Sequence, residues 1–339
     1  MEIAVDSDAN RPLEVFLDTN NKCNLKCLTC VFSDPRVAQL KMNTMSPDLF
    51  EKICQQVLPS AEYATLSCLT EPLMTRDFAR YLLRAGRCGV PRLEFVTNGL
   101  LLRQEHLEAC VEARLWRLTI SVDGSDAETY ERIRRGGRFD TLRRNIASTV
   151  EHFSRAQHRP GLRIIMTLIK ENFLTAATAV QRFIDWGATE IELRETVTFP
   201  EIGLEDRQLH DRRVELEQVL IQAQAIARES SVPIEISSER APDDLTLAST
   251  PPCHALEKRV AIAANGDVMP CMLWAREPLG NLHRQSFEEI WHGDLRIAFR
   301  DEFREKGPPM WCPACTACKE DPRDEDAYYR LLAKVDPGD

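Results

Sequence analysis

Six short apolar or β-branched runs alternate with six helical stretches between Leu13 and Arg228, and this alternation narrows the fold more than any other feature of the 339-residue chain. The runs are Glu14–Leu17, Tyr63–Ser67, Leu93–Val96, Leu118–Val122, Leu162–Ile169 and Glu190–Arg194. The stretches between and after them are Pro47–Val57, Thr75–Arg87, Gln104–Arg114, Phe139–Phe153, Leu174–Trp186 and His210–Arg228. In the first of these, Ser46 is the expected N-cap, with Pro47 at the first helical position. Strands that alternate with helices build a parallel sheet through right-handed crossovers. Six units are too few to close an eight-stranded barrel. The expected class is therefore α/β, a partial (β/α)6 barrel of TIM type, with its chemistry at the C-terminal ends of the strands.

Composition shifts near Ser230. Ser230–Pro233 and the stretch from Ala241 to Pro252 read as linker. Beyond it, Val260–Ala264, Asn265-Gly266 and Asp267–Met269 read as a β-hairpin whose Asn-Gly pair supplies two residues with positive φ. Ser286-Phe287-Glu288-Glu289 is a capping box opening a helix that runs to about Phe303. The expected organisation is an N-terminal tail (1–12), a barrel core (13–230) and a small α+β cysteine-rich domain with a polar tail (231–339).

The chain holds 43 Lys and Arg against 53 Asp and Glu, a formal net charge of −10. So acidic a chain has no global field for nucleic acid or anionic lipid. No apolar run reaches the roughly 18 residues that span a bilayer, and Met1–Asp6 lacks the basic and apolar regions of a signal peptide. The expectation is a cytoplasmic protein without nucleic-acid or membrane partners. Its 12 cysteines then read as metal or redox sites, not as a disulfide framework.

Cys23, Cys27 and Cys30 form a C-x3-C-x2-C cluster just past the first strand. Three thiolates can hold three corners of a [4Fe–4S] cubane and leave the fourth iron open to an exogenous ligand. Zinc is the other metal such a cluster can bind. Lys26 and the loop amides are candidate donors to the sulfurs. Cys54, Cys68, Cys88 and Cys110 lie on or beside helices and a strand end and are expected to be inert, since free cysteine packs as a small hydrophobe.

The triplet, together with Glu71-Pro72, Thr97-Asn98-Gly99 and Ser121-Val122-Asp123-Gly124 at successive strand ends, resembles the radical S-adenosylmethionine superfamily. The resemblance implies that S-adenosylmethionine binds the open iron and is cleaved by one electron to a 5′-deoxyadenosyl radical that abstracts hydrogen from substrate. Glu71 would accept from the nucleotide's amino group and Ser121 from its ribose hydroxyls. Asn98 would line the same site, and Arg194 would pair with the carboxylate. Where relatives carry glycines before Glu-Pro, this chain has Cys68, Leu69 and Thr70.

Cys253, Cys271, Cys312, Cys315 and Cys318 fall in the second region. Four thiolates from a hairpin and a later knuckle fit a closed zinc site. The surrounding segments resemble the SPASM or twitch extension of the same superfamily, which implies an auxiliary cluster. Five cysteines suit one auxiliary [4Fe–4S] cluster, held by Cys253, Cys271 and two of the last three. A spare thiol such as Cys318 would be either a hydrogen-atom donor or a bystander.

The expected activity is oxidation (dehydrogenation) or epimerisation of a small polar biosynthetic intermediate such as an amino sugar, cyclitol or nucleoside. The short run before the first strand tilts the reading that way, because peptide-modifying relatives often carry a leader-binding domain there. The alternative is a ribosomal peptide or protein side chain, modified by crosslinking, epimerisation or formylglycine-type oxidation. An electron donor such as flavodoxin or ferredoxin is the expected protein partner. A related family that closes the pterin ring ends in Gly-Gly, unlike Pro337-Gly338-Asp339 here. The non-enzymatic alternative is a zinc or iron–sulfur sensor built on a decayed barrel.

Overall fold

The computed structural model describes residues 13–67, 69–195, 205–237, 255–271 and 277–306. The first half runs β1 (Leu13–Leu17), α1 (Pro35–Gln39), α2 (Pro47–Gln56), β2 (Ala61–Thr65), α3 (Phe78–Gly86), β3 (Arg92–Thr97), α4 (Gln104–Glu112) and β4 (Arg117–Ser121). Then follow α5 (Ala127–Ile133), α6 (Phe139–Arg155), β5 (Gly161–Leu168), α7 (Ala176–Asp185), β6 (Glu190–Glu195), α8 (Arg213–Glu229) and β7 (Ile234–Ser237). The last part holds α9 (Ala255–Lys258), β8 (Arg259–Ile262), β9 (Asp267–Met269), β10 (Gly280–Asn281), α10 (Phe287–Trp291) and α11 (Asp294–Lys306).

All ten strands join one open sheet in the order β10-β9-β8-β1-β2-β3-β4-β5-β6-β7. Strands β1 to β7 pair in parallel, as the alternation predicts. Two additions were not predicted. β7 extends the sheet past Ser230, where the composition reads as linker. β8 pairs in parallel with β1 from Glu14↔Arg259 to Leu17↔Ile262, so the second region begins as a further strand of the first.

Alternation along each strand divides the sheet's faces. Phe95 meets Phe78 of α3 at 4.9 Å, and Leu93, Leu118, Ile120, Ile164 and Leu193 are buried with it beneath the helices. Several of the intervening residues are charged. Arg163 lies 2.9 Å from Glu192 and 3.5 Å from Glu94, and Arg117 pairs with Glu94 and Glu190. Buried charge survives only when paired, and this network of strand-borne ions lies on the face opposite those apolar residues.

Local signals hold closely. Leu49 N donates to Ser46 Oγ at 3.2 Å, with Pro47 at the first turn. Ser286 and Glu289 form the reciprocal capping box. The helix it opens breaks at Gly293, where a Cβ would meet Glu289 O at 2.8 Å, so α10 and α11 are separate. The predicted hairpin is present as β8 and β9, but its turn differs. Gly266 N donates to Ala263 O at 2.9 Å, and of the turn residues only Gly266 has positive φ, at 85°. This is a longer turn closed by a glycine bulge, not a two-residue Asn-Gly turn. Asn265 instead bonds Asp267 through side chain and backbone.

Candidate active site at the strand ends

The loop after β1 carries the front cysteines, and backbone bonds hold it in place. Lys26 N donates to Arg135 O at 3.0 Å and Leu28 N to Ile133 O at 2.8 Å, strapping it to the end of α5. Cys30 N donates to Cys27 O, and Cys30 caps the 3-10 turn Val31–Ser33. Cys27 is 8% exposed. Cys23 and Cys30 are half-buried against Val31, Phe32 and Val37. Leu25 N donates to Cys23 Sγ at 3.4 Å, and the Phe32 amide donates to the Cys30 sulfur. Lys26, an expected donor, is exposed.

Burial pushes the Cys23 thiol up to about 12. It pushes Cys27 and Cys30 up as well, and the three sulfurs repel one another as anions. Bare thiolates are therefore disfavoured here, and a cationic metal reverses that balance by deprotonating the thiols it binds. Among the described residues, no three His, Cys, Asp or Glu side chains are grouped to hold a metal ion. A single zinc would draw its sulfurs to about 2.3 Å from one centre, whereas a cubane spreads them over separate irons.

A buried ion pair and an unpartnered hydroxyl adjoin the thiols. Arg134 Nε stands 2.8 Å from Asp123 Oδ2, and the Tyr130 hydroxyl has no partner. Burial pulls the Arg134 guanidinium down, but Asp123 and Cys27 outweigh it and hold the group charged. A buried cation that the electrostatics of all three thiols register, next to an unpartnered hydroxyl, fits an anionic sulfide cluster. Sequence reasoning missed Arg134. Its signal was the Arg134-Arg135-Gly136-Gly137 run after α5, in which Gly136 takes φ 91°.

Glu71 and Asn98 brace this loop. The Glu71 carboxylate is 2% exposed. It accepts from Thr97 Oγ1 at 2.6 Å, Asn98 N at 2.8 Å and Leu73 N at 3.2 Å. Its own amide donates to Lys22 O at 2.9 Å. A carboxylate offers about four acceptor positions, so one remains for a ligand. Burial nevertheless outweighs these donors and raises its pKa to about 6. Asn98 Nδ2 donates to Asn24 Oδ1, inside the cysteine loop, at 2.7 Å. Thr70, standing where relatives carry a glycine, donates to Asp18 Oδ1 at 2.8 Å.

Ser121 ends β4 half-buried, two residues before Asp123. Gly124 follows where a Cβ would meet Tyr130 N at 2.5 Å, so only glycine lets α5 approach. Arg194 is paired with Glu192, while Glu195 is taken by Arg213 at 2.7 Å. The Arg194 side chain is still 48% exposed. In the second region, Cys271 is half-buried beyond β9. Cys68, Cys253, Cys312, Cys315 and Cys318 lie outside the described residues. No helix among the described residues is long and apolar enough to cross a membrane.

Residues 18–178 match the radical SAM superfamily, and residues 253–319 match the SPASM iron–sulfur cluster-binding domain. The subtilosin biosynthesis protein AlbA of Bacillus subtilis is 24% identical over 84% of this chain and 60% of its own length. A probable GTP 3′,8-cyclase of Methanococcus maripaludis is 27% identical over 47% of this chain and 48% of its own. The chain thus spans about half to three-fifths of these curated relatives. In fold it is similar to Streptococcus suis SuiB bound to S-adenosylmethionine (TM-score 0.67, 16% identity, 86% of this chain and 68% of that one). It is likewise similar to anSMEcpe with bound AdoMet (TM-score 0.66, 16% identity, 95% and 92%). A [4Fe–4S] cluster, S-adenosylmethionine and auxiliary iron–sulfur binding go with these domains. The chain belongs to the radical S-adenosylmethionine superfamily and carries its SPASM extension.

Proposed function

We propose that this enzyme removes a hydrogen atom from a carbon of a residue within a peptide or protein and leaves that residue oxidised, epimerised or crosslinked. When bound, S-adenosylmethionine and the iron–sulfur groups supply one-electron chemistry and a hydrogen-abstracting carbon radical. The protein's part is to hold, orient and exclude water. Cys23, Cys27 and Cys30 hold the front group, and Arg134 balances its charge. Glu71 and Asn98 fix the loop, and the last acceptor position of Glu71 takes the nucleotide's ammonium. Ser121 serves the ribose and Arg194 the carboxylate. Cys271, with Cys253 and two of Cys312, Cys315 and Cys318, holds one auxiliary group, and Cys318 is the candidate spare thiol. The core domain extends to Ser237, the last residue of β7, and the extension follows.

The observation that carries the peptide reading is the span of AlbA's similarity, 292 residues and 84% of this chain, where the cyclase match stops near half. A small polar substrate is the second reading. It is favoured by the charged face of the sheet, where the half-exposed Arg194 sits on Glu192. Deuterated candidates of both classes, incubated with the reduced, cluster-loaded enzyme, separate the two. Deuterium recovered in 5′-deoxyadenosine from a peptide supports the first reading. Label transferred only from sugars or nucleosides overturns it.

A further inference from the structure

Cys54 and Cys88, expected from the sequence to be inert packing groups, lie beside one another and beside Arg84. Helices α2 and α3 are clamped by a two-pronged ion pair, with Arg84 Nε and Nη2 each 2.7 Å from a carboxylate oxygen of Glu51. Phe50 stacks on Tyr81 in the same seam at 4.3 Å. One turn beyond that pair, Cys54 on α2 meets Cys88 in the turn that follows α3. The two free thiols lie close enough to polarise each other. Cys88 Sγ stands 3.4 Å from the Cys54 carbonyl, and Arg84 Nη1 points at it from 3.2 Å. Cys54 is 2% exposed, whereas Cys88 is partly open to solvent.

We infer that Cys54 and Cys88 are a redox-active dithiol, an oxidative modification site for hydroperoxides, with Cys88 as the attacking sulfur and Cys54 as the resolving one. Geometry divides the roles, because the attacked position must be reachable and the resolving thiol must be close. The charge balance agrees. The Cys54 S–H and the Arg84 guanidinium hold the Cys88 thiol low against burial and the nearby Glu51 carboxylate. The neighbouring Cys88 and burial hold Cys54 protonated. The Cys88 thiolate attacks the O–O bond of the hydroperoxide, giving a sulfenic acid and releasing alkoxide or hydroxide, which takes up a proton. Cys54 then displaces hydroxide from that sulfur, its own proton completes water, and a disulfide remains. Two thiols lose two electrons and the peroxide gains them. A dithiol reductant reverses the reaction. The crosslink ties α2 to the turn after α3, beside the Arg84–Glu51 pair. α2 also grips the extension through Lys52 Nζ on Leu282 O at 2.6 Å and Gln56 Oε1 on Phe287 N at 3.0 Å.

The test uses cluster-loaded protein, exposed to equimolar hydrogen peroxide without oxygen, quenched with iodoacetamide and digested by trypsin without reduction. The expected product is the Cys88–Arg92 peptide joined to the Ile53–Arg76 peptide. Cys68 shares the second peptide, so Cys68→Ala must keep the link. Cys54→Ser must lose it and leave Cys88 as a sulfenic acid trapped by dimedone. Arg84→Met should slow alkylation of Cys88 at neutral pH about tenfold. Recovery of Cys88 unmodified, or joined to another cysteine, overturns the assignment. The wild type and Cys68→Ala decide this even if Cys54→Ser fails to fold.

Discussion

The Arg134 guanidinium lies 2.8 Å from the carboxylate of Asp123, and the two side chains are 11% and 1% exposed. The pair joins the end of β4 to the end of α5, beside the loop that bears Cys27. Removing one member of a buried pair leaves the other uncompensated, at a cost of about 3–5 kcal/mol. Arg134→Met should lower stability by that order. Arg134→Met combined with Asp123→Asn should lower it by less than the sum of the two single changes. Urea denaturation of the three variants closes the cycle, and additive losses would mean that the pair is not coupled.

Cys27 is the most enclosed of the front thiols. Cys27→Ala should cost about four iron atoms per chain and abolish release of 5′-deoxyadenosine. Iron analysis and chromatography of reduced, anaerobic protein read both. Release that persists at the wild-type rate would remove this cysteine from the proposed site.

Cys271 separates chemistry at the front site from completion of the reaction. Cys271→Ala should leave 5′-deoxyadenosine formation detectable while modified product falls by at least about tenfold, the lower range for loss of a supporting group at a metal site. Full turnover in the variant would remove the rear region from the redox step.

Glu71 gives a pH signature. Its pKa rises from an ordinary 4.5 to about 6 in the folded chain because burial outweighs its three donors. The folded state therefore binds this proton more tightly than the unfolded state. The residue's contribution is most favourable below pH 4.5 and is lost as pH climbs to about 6, a change of roughly 2 kcal/mol. Glu71→Gln should flatten that part of the stability profile. If Glu71 receives the nucleotide's ammonium, S-adenosylmethionine affinity in the wild type should strengthen as pH rises through 6, and isothermal titration across that range measures it.

Much of this architecture is legible in the chain because local physics writes it there. Ser46 before Pro47 and the Ser286/Glu289 box set helix starts within a few residues, and the alternation of runs dictates parallel pairing. The missed features depend on residues far apart in sequence. β7 has four residues behind Pro233 and is only half-covered, so its two-isoleucine alternation is too short to stand out from the linker-like residues around it. The ions of the charged face, such as Arg163 and Glu192, interrupt otherwise apolar strands, and only the register brings them into pairs. Arg134 reads as one of several surface arginines until α5 folds it beneath Asp123. Cys54 and Cys88 are 34 positions apart, and no spacing rule joins them. At the front triplet the spacing is local, so a candidate ligand set can be read directly from the chain.

The parallel ladder between β1 and β8 makes the barrel and the rear hairpin parts of one stiff plate. β9, which leads to Cys271, lies two strands from β1, about 10 Å at ordinary strand spacing. The spacing from the front cysteine loop to Cys271 is consequently set by a strand ladder, as a beam fixes the distance between two fittings bolted to it.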